Sequence, residues 1–459
     1  MLADLGASHP CDVVVLGGGP AGLAAAMWLA RRGRSVVVIE RGGYDRPRAG
    51  ETFGGEVGPL LRDLGVWDDF AALATAPFRG VASAWGDAEA HDRASIFHPF
   101  GEGWHVERAA FDRMLARAAE RDGVLVQTEA GSPVVAREGE RFRVKPARGG
   151  DLVARFLVDA SGRGAPATTR YLPGRRWLRI DRMVGLIGRL RMESRAIEPV
   201  LLLEAAPEGW WYSTPQPDGT LLAALMTDAD LLPAEGRSAL VRGFEAALRE
   251  APLTAARAAG ATLAAPPWIA RADSGMLLQA RAPGFRALGD AAFGSDPLGG
   301  NGVSRALDDA REAALEIDAA LGGPKIEGDP DREVATRRRF CDYLEARRRY
   351  YVRETRWPEA PFWARRRGIA WQEAPLWLDP RAQLQRGPRV LDRERAALHE
   401  ALLPPQALAA LRALLVAPVP AYRALAALRE AAPLEDRRLL VGLQGLVEDG
   451  VLMDEGDRG

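Results

Sequence analysis

Three glycines near the start of the chain have the spacing of a dinucleotide-binding turn. Gly17, Gly19 and Gly22 follow the apolar run VVVL and precede the apolar run AAAMWLA, which predicts a strand, a tight turn and a helix ending near Gly33. Such a turn brings main-chain N–H groups close to a pyrophosphate at the start of the helix. Glu40 ends the next apolar run, SVVVIE, where its carboxylate can accept hydrogen bonds from a ribose. The predicted contacts also include Pro20, Ala21 and Arg41.

A second glycine-rich segment, GDAAFGSDPLGGNG at 289–302, comes before a predicted long helix that starts at about Val303. Asp290 is placed to accept a hydrogen bond from a ribityl hydroxyl. The glycines at the end of the segment let backbone N–H groups and the positive end of the helix face a flavin pyrimidine ring, where they stabilise an anionic reduced flavin. The predicted cofactor is therefore FAD. From this segment its predicted contacts are Asp290, Pro297, Gly300, Asn301 and Gly302.

Together with three further motifs, these segments resemble the FAD-dependent hydroxylases, geranylgeranyl reductases and tryptophan halogenases. WHVERAAFDRMLARAA is similar to the family's Arg-xx-Phe-Asp-xx-Leu helix, which implies that Arg108 faces the FAD. FLVDASGRG is similar to its Asp-Ala-x-Gly element, and RAGETF matches its flavin-proximal loop, with Arg48 as a cofactor contact. The resemblance spans about residues 10–325 and implies an FAD-dependent oxidoreductase.

Two residues that the similar flavin halogenases use are missing from this sequence. Those enzymes use a lysine in the N-terminal third and a glutamate in a Pro-Leu-Glu-Ser loop, whereas here the first lysine is Lys145 and the loop ends in Gly299 and Gly300. Halogenation is expected only if an arginine such as Arg79 replaces the lysine. The resemblance then implies a monooxygenase, in which O2 and reduced flavin form a C4a-hydroperoxide that delivers an electrophilic OH to an electron-rich ring.

Three residues are candidates for a general base that removes a phenolic or indolic proton during hydroxylation: Glu51, His98 and His105. Each also has a structural interpretation, because Glu51 can cap its loop or pair with Arg48 and the histidines can lie on sheet surfaces. Glu51 and His105 are the predicted catalytic residues among them.

The run GWWYSTP and the later run TLLAALMTD predict a β-hairpin. Alternation along the first strand sends Trp210 and Tyr212 to one face and Trp211 to the other. Trp211 is predicted to cover the flavin or substrate, with core packing as the alternative. Similar hairpins occur in flavoenzymes that modify protein-bound tryptophan during quinone-cofactor formation, such as the monooxygenase serving quinohaemoprotein amine dehydrogenase. The resemblance implies a tryptophan side chain in a peptide or protein as the substrate.

Changes in pattern along the chain predict an α/β fold with three parts. A Rossmann-like FAD-binding domain of the aromatic hydroxylase type is predicted over 10–75, 103–175 and 270–325. An inserted β-sheet substrate domain is predicted over 76–102 and 176–269. The C-terminal part, over 330–459, is predicted to be mainly helical and ends in a segment reminiscent of a winged helix, which either grips a peptide substrate or only stabilises the fold.

The arginine- and aromatic-rich segment RRRYYVRETRWPEAPFWARRR in the C-terminal part also resembles the tryptophan-modifying subgroup. In isolation it could suggest an RNA-binding surface, but acidic residues on both sides dilute its charge. Structural packing of its aromatic residues is therefore the predicted role.

The composition argues against several classes of partner. The formal net charge of −1, from 61 basic and 62 acidic residues, disfavours binding to nucleic acid or to an anionic membrane surface. The two cysteines have no metal-ligand spacing, so no metal site is predicted. The sequence shows neither a signal peptide nor a membrane span, and the predicted location is the cytoplasm.

The predicted function is an FAD-dependent monooxygenase acting on an aromatic small molecule or a tryptophan-containing peptide or protein. Its reductant is either NAD(P)H or FADH2 from a separate flavin reductase, because only one dinucleotide fingerprint is visible. Two alternatives stay open beside halogenation: a flavin-dependent reductase of an alkene or isoprenoid, and a non-catalytic FAD protein that senses redox state.

Overall fold

A computed structural model gives the fold of the chain. The structure describes residues 9–95, 98–172, 175, 177–193, 197–232, 236–324, 332–367, 378, 381–388, 390, 391, 396, 399, 400 and 402–454. Two compact units can be distinguished. The first comprises residues 1–327 and 354–362, and the second comprises residues 328–353 and 363–459.

The strands and helices have the following bounds. The strands are β1 (His9–Leu16), β2 (Val36–Ile39), β3 (Thr52–Phe53), β4 (Thr75–Phe78), β5 (Gly80–Ala84), β6 (His91–Ala94), β7 (Gly103–Val106), β8 (Leu125–Gln127), β9 (Val134–Glu138), β10 (Arg141–Lys145), β11 (Leu152–Asp159), β12 (Trp177–Arg179), β13 (Met183–Arg191), β14 (Leu201–Ala206), β15 (Gly209–Pro215), β16 (Leu221–Asp228), β17 (Thr262–Leu263), β18 (Trp268–Arg271), β19 (Gly275–Leu277), β20 (Arg281–Ala282), β21 (Phe285–Ala287), β22 (Phe293–Gly294), β23 (Gln383–Arg386), β24 (Val419–Pro420) and β25 (Leu452–Asp454). The α-helices are α1 (Pro20–Ala30), α2 (Val57–Asp63), α3 (Trp67–Ala71), α4 (Arg108–Arg121), α5 (Pro166–Tyr171), α6 (Arg237–Arg249), α7 (Pro252–Arg257), α8 (Gly302–Ala320), α9 (Arg332–Tyr351), α10 (Pro361–Arg367), α11 (Pro405–Leu414), α12 (Ala421–Ala431) and α13 (Asp436–Glu448).

The first unit is built on a sheet whose central strands are parallel. Its order is β20-β21-β11-β1-β2-β8, with β10 and β9 added beside β11. The apolar residues 13–16 of β1 and 36–39 of β2 are all buried. Continuous apolar runs of this kind are typical of parallel strands that are covered on both faces. On one face, α1, α4 and α8 contribute to a single hydrophobic cluster with these strands. This arrangement confirms the predicted α/β class and the Rossmann-like βαβ start.

A second large sheet has the order β17-β13-β16-β15-β14-β5-β6, with β18 also paired to β13. β15 and β16 are antiparallel neighbours, so the predicted hairpin is confirmed. Residues of α6 and α7 pack in a hydrophobic cluster on one face of this sheet, with Trp211 and Phe244 at its centre. Because side chains alternate along a strand, Trp210 and Tyr212 lie on the opposite face.

A small sheet of β3, β7 and β4 carries the residues that follow the RAGETF loop. The helical spacing of Phe111, Leu115 and Ala118 predicts a helix over 106–119, but Val106 ends β7 and the helix α4 begins at Arg108. Glu107 between them is extended, and its carboxylate accepts hydrogen bonds from the N–H groups of Ala109 and Ala110. The acidic N-cap therefore sets the start of the helix later than the apolar spacing indicates.

Two predicted domain boundaries cut through strands. β4 spans the boundary between residues 75 and 76, yet it pairs with β7 of the small sheet. β18 spans the boundary between residues 269 and 270 and pairs with β13 of the large sheet. The division into FAD-binding and substrate-binding parts therefore remains a proposal, with its boundaries moved outside these two strands.

The second unit contains a three-stranded sheet in the order β24-β23-β25 and the helices α11, α12 and α13. One hydrophobic cluster joins them, with Leu384, Leu403 and Leu439 fully buried. Tyr351 and Trp363, from the aromatic segment singled out in the sequence, are also fully buried in this unit, with ring centroids 5.8 Å apart. Packing therefore accounts for these two aromatic side chains.

Candidate active site

The β1–α1 turn has the three different glycine environments that a bound pyrophosphate requires. Gly17 has φ +107°, and a Cβ there would lie 2.4 Å from the Ala160 carbonyl oxygen. A Cβ at Gly22 would lie 2.1 Å from the Gly17 oxygen, whereas one at Gly19 would meet no atom within 4 Å. Gly17 and Gly22 thus allow the turn and the close packing of helix on strand. The space beside Gly19 is where backbone can approach a phosphate.

The other residues predicted around this turn are placed as follows. Pro20 is the first residue of α1, and Ala21 is buried in its first turn. Glu40 follows β2, and its carboxylate accepts hydrogen bonds from Gly18 N at 2.8 Å and Gly42 N at 3.0 Å. These bonds hold the carboxylate beside the glycine turn, the position expected of a ribose acceptor. Arg41 is exposed.

The second glycine-rich segment forms a tight turn before α8. The Asp296 carboxylate accepts a hydrogen bond from Leu298 N at 3.0 Å and so caps the turn that begins at Pro297. Gly300 has φ +64°, and a Cβ at Gly300 or at Gly302 would meet no atom within 4 Å. Asn301 is the N-cap of α8. The positive end of this long helix therefore faces open space, which fits the predicted flavin contact.

Asp290 is held between two arginines that sequence reasoning did not predict. Its carboxylate lies 3.1 Å from Arg163 Nε and 3.0 Å from Arg305 Nη2. Arg163 comes from the SGRG turn that ends the FLVDASGRG motif, and Arg305 belongs to the first turn of α8. The predicted ribityl contact of Asp290 stays a prediction.

Arg48 and Arg108 meet on one buried carboxylate, that of Asp112. Arg48 lies 2.8 Å from it and 3.0 Å from Glu40, and Arg108 lies 3.1 Å from it. Arg108 also donates to the Ala49 carbonyl oxygen at 3.0 Å. Asp112 was missed by sequence reasoning, although its position four residues after Arg108 on a helix could have indicated the pair.

Glu51 is buried, with 2% of its surface exposed. Its Oε1 accepts a hydrogen bond from the Tyr212 hydroxyl at 2.7 Å. Its Oε2 is buried and accepts no hydrogen bond from any residue that the structure describes. Burial raises the pKa of Glu51, although the Tyr212 hydroxyl opposes that shift. Burial also raises the pKa of Tyr212 well above its ordinary value, and the nearby Glu51 charge adds to this.

Tyr212, rather than Trp211, is the aromatic residue of β15 that reaches the candidate base. Trp211 is fully buried on the face covered by α6, where its ring lies 5.4 Å from that of Phe244. The predicted role of Trp211 as a cover for flavin or substrate therefore does not fit its position, because a helix covers that face and the sheet lies between it and Glu51. Trp210 lies on the same face as Tyr212, with ring centroids 6.2 Å apart. Sequence alternation separated the two faces but did not indicate which one was covered.

His105 is fully buried between two threonines. Its Nδ1 lies 2.6 Å from Thr214 Oγ1 and 3.0 Å from Thr52 Oγ1. Burial lowers the pKa of His105 to about 3, and the charge of Arg257 contributes to the same direction. The imidazole is therefore neutral at ordinary pH, and it ties the small sheet to β15 next to the Glu51–Tyr212 contact.

His98 lies in an exposed turn, where its Nδ1 is 3.4 Å from Phe100 N. Because the ring is exposed to solvent, a role as a catalytic base is not supported by its position.

The described residues fit FAD as the cofactor and offer no alternative metal centre. The two glycine-rich segments leave open space at Gly19, Gly300 and Gly302, and a carboxylate stands beside the first of these. Among the residues that the structure describes, no group of three or more histidine, cysteine or carboxylate side chains could hold a metal ion. No helix in the same part of the chain is long and apolar enough to span a bilayer.

Comparison with known proteins supports FAD as the cofactor. Residues 10–171 match the family described as an FAD binding domain. A putative FAD-dependent oxidoreductase of Marinomonas mediterranea, LodB, is 28% identical over 367 residues, which cover 78% of this chain and 97% of the relative. The chain is therefore similar to FAD-dependent oxidoreductases and flavin-dependent halogenases. The prediction of an FAD-dependent oxidoreductase is confirmed.

A halogenase is also similar to this chain, over a smaller share of its own length. A tryptophan 2-halogenase of Chondromyces crocatus is 28% identical over 324 residues, covering 68% of this chain and 62% of the halogenase. The chain therefore spans about three fifths of that relative.

Two solved structures share the fold over almost the whole chain. The myxobacterial chondrochloren halogenase CndH superposes with a TM-score of 0.67 at 23% identity, covering 96% of this chain and 99% of that one. The peptidyl tryptophan dihydroxylase QhpG, described as essential for tryptophylquinone cofactor biogenesis, superposes with a TM-score of 0.63 at 24% identity over the same shares.

Proposed function

We propose that this chain is an FAD-dependent monooxygenase that hydroxylates an electron-rich aromatic ring, with a tryptophan side chain of a peptide or protein as its substrate in quinone-cofactor biogenesis. The observation that carries the proposal is the buried Glu51 carboxyl, whose Oε2 has no partner among the described residues. A buried carboxyl oxygen without a hydrogen bond is costly, so a ligand that donates an N–H or O–H there is favoured.

The chemistry divides between cofactor and protein. Reduced FAD, when bound, reacts with O2 and supplies an electrophilic oxygen atom to the substrate ring. Each turnover adds one oxygen atom to the ring and reduces the other to water, using two electrons and two protons. NAD(P)H, or FADH2 from a separate flavin reductase, supplies the electrons.

The protein's own contribution is positioning and proton transfer. Glu51 Oε2 accepts the ring N–H or O–H and takes that proton as the ring attacks. The Tyr212 hydroxyl donates to Oε1 and keeps the carboxyl in one orientation. His105, neutral between its two threonines, fixes the strand that carries Tyr212 and Thr214. The Glu51, Tyr212 and His105 side chains are all buried, which keeps bulk water away from the reaction.

Halogenation is the second candidate because several relatives are named halogenases. The arginine that could replace the missing lysine does not support it. Arg79 is more than half exposed, and its Nε lies 3.4 Å from Glu102, which is also more than half exposed. The similar halogenases use a lysine to capture hypohalous acid, and an exposed arginine beside a carboxylate is a poor substitute; the glutamate of their loop is also replaced here by glycine.

The test is a turnover experiment with an isotope label. Purified protein, FAD, NADH and a general flavin reductase are incubated with tryptophan-containing peptides and small indoles under 18O2, with and without bromide. The proposal predicts a mass gain of one or two 18O atoms in a peptide, independent of bromide. Incorporation of bromine would favour halogenation. Oxygen-independent saturation of an alkene would favour the reductase alternative, and flavin reduction without any product would favour a redox-sensing protein.

A further inference from the structure

A chain of charged contacts leads from the expected ribose acceptor to the interior of the molecule. Arg48 donates through Nη2 to Glu40 Oε1 at 3.0 Å and through Nη1 to Asp112 Oδ2 at 2.8 Å. Glu40 in turn accepts from Gly18 N, within the glycine turn. One arginine therefore joins the carboxylate beside the dinucleotide turn to a carboxylate on α4.

The same buried carboxylate also controls the loop that carries Glu51. Arg108 donates through Nε to Asp112 Oδ1 and through Nη2 to Oδ2, both at 3.2 Å. Its Nη1 donates to the carbonyl oxygen of Ala49 at 3.0 Å and lies 3.4 Å from that of Gly50. These two residues directly precede Glu51, so Arg108 holds the backbone from which Glu51 projects.

The loop that carries Glu51 packs tightly against Arg108. Gly50 has φ +92°, and a Cβ there would lie 2.8 Å from Arg108 Nη1. The Asp112 side chain is 0% exposed, so its charge needs both arginines to offset the loss of hydration. A shift of Arg48 toward or away from Glu40 must therefore change the position of Asp112, of Arg108 or of the loop.

We propose that Asp112 is a positioning residue that couples occupancy of the ribose-binding end of the site to the placement of Glu51. The proposal rests on the proposed function, because it takes Glu40 as the ribose acceptor and Glu51 as the proton acceptor. Ribose hydroxyls compete with Arg48 for Glu40 Oε1. Arg48 then interacts more strongly with Asp112. Arg108, which is bonded to Asp112, passes the resulting shift to the carbonyl groups that precede Glu51. The coupled element has two arrangements, with Arg48 shared between two carboxylates or held by one.

The experiment uses ADP, which contains the ribose and diphosphate of FAD but no isoalloxazine to contact Glu51. Infrared difference spectra of the full chain are recorded with and without saturating ADP, in H2O and D2O. The carboxyl band of Glu51 is identified as the band that disappears in Glu51→Gln. The proposal predicts that ADP shifts this band in the wild type. In Asp112→Asn, ADP should still bind but the shift should be lost.

Affinity provides a second readout, because coupling between two sites is reciprocal. FAD binding, followed by quenching of flavin fluorescence, should weaken in Asp112→Asn by about fivefold or more, the lower end of common coupling strengths. Asp122→Asn is the matched control on the same helix, since Asp122 pairs with Arg31 at the far end of α4. It should change neither the ADP-induced shift nor the affinity.

A second variant keeps the test decisive if Asp112→Asn fails to fold. Arg48→Met removes the link to Glu40 but leaves the Asp112–Arg108 pair, and it should also lose the ADP-induced shift. Binding of ADP without any shift of the Glu51 band in the wild type would overturn the coupling and leave the proposed function standing. Failure of both ADP and FAD to bind would overturn both.

Discussion

The two faces of the large sheet each bury an aromatic residue and a glutamate, with different consequences. On the face covered by α6 and α7, Trp211 packs on Phe244. Its register partner Glu204 accepts hydrogen bonds from Leu253 N at 2.9 Å and Thr254 N at 2.7 Å, and its Oε2 also accepts from the Thr254 hydroxyl. Both carboxylate oxygens of Glu204 therefore accept hydrogen bonds from within the protein.

The opposite face buries a similar pair, Tyr212 and Glu51, but one oxygen of this glutamate has no hydrogen-bond donor among the described residues. Tyr212 donates to Glu51 Oε1, whereas Glu51 Oε2 has no donor among the described residues. A buried glutamate whose oxygens are both bonded stabilises the fold, because it caps a helix end. A buried glutamate with an oxygen left over is a binding or catalytic group until a partner is found. We therefore assign stability to the first face and chemistry to the second.

The largest expected effect comes from removing the charge at Glu51. Glu51→Gln keeps the size of the side chain but loses the proton acceptor, so turnover should fall by about 10²–10⁴-fold. The rate of 18O incorporation into the peptide substrate measures it. The control is Glu204→Gln, which should lower the free energy of unfolding by about 1–2 kcal/mol and leave kcat nearly unchanged. Equal losses of turnover in both variants would contradict the division between the faces.

The next effect concerns stability on the covered face. Trp211→Ala removes a fully buried ring from the cluster around Phe244 and should lower the free energy of unfolding by about 3–5 kcal/mol. Urea unfolding followed by circular dichroism measures the loss. Trp211→Phe should retain most of the stability and also the turnover. If Trp211→Phe abolished turnover while the protein stayed folded, the role first predicted for Trp211, as a cover for flavin or substrate, would be restored.

A smaller effect is expected in the pH dependence of stability. His105 has a pKa of about 3 when folded and 6.5 as a free side chain, so the unfolded chain takes up its proton first as the pH falls. Stability due to His105 is complete above pH 6.5 and is lost progressively down to about pH 3. Relative to His105→Asn, the wild type should lose about 2 kcal/mol between pH 7 and pH 5. If the free energy of unfolding changed with pH in the same way in both proteins, folding would not lower the pKa of His105. That result would contradict its burial.

The smallest effect is expected from the hydroxyl of Tyr212. Tyr212→Phe removes the hydrogen bond to Glu51 Oε1 while keeping the ring, and it should slow turnover by roughly three- to tenfold. The optimum pH should also move upward, because the hydrogen bond lowers the pKa of Glu51 and its loss raises that pKa. A pH–rate profile measures both, and an unchanged profile would remove Tyr212 from the proposed proton transfer.

Local patterns were enough to predict the parts of the molecule that depend on neighbours in sequence. The strand, turn and helix around Gly17 follow from steric limits on a glycine-rich turn, and the β15–β16 hairpin follows from two apolar runs with a turn between them. The α/β class and the FAD-binding domain were predicted from these patterns and from the family motifs.

Contacts between distant parts of the chain could not be predicted in this way. Glu51 and Tyr212 are far apart in sequence, so nothing in the sequence placed the hydroxyl on the carboxyl. Trp211 was placed on its correct face but given the role of covering flavin or substrate, because alternation separates two faces without indicating which one helices cover. Asp112 was overlooked because its role depends on an ion pair with Arg48, which lies far from it in the sequence.

The account depends most on the placement of FAD at the first glycine turn, and one substitution tests it directly. A Cβ at Gly19 would meet no protein atom within 4 Å, so Gly19→Val should leave the apoprotein folded and lower its stability only by the roughly 1 kcal/mol expected for a poorer N-cap residue. It should nevertheless raise the Kd for FAD by about tenfold or more, because the side chain would fill the space assigned to the pyrophosphate. A folded Gly19→Val protein that binds FAD as tightly as the wild type would contradict the account.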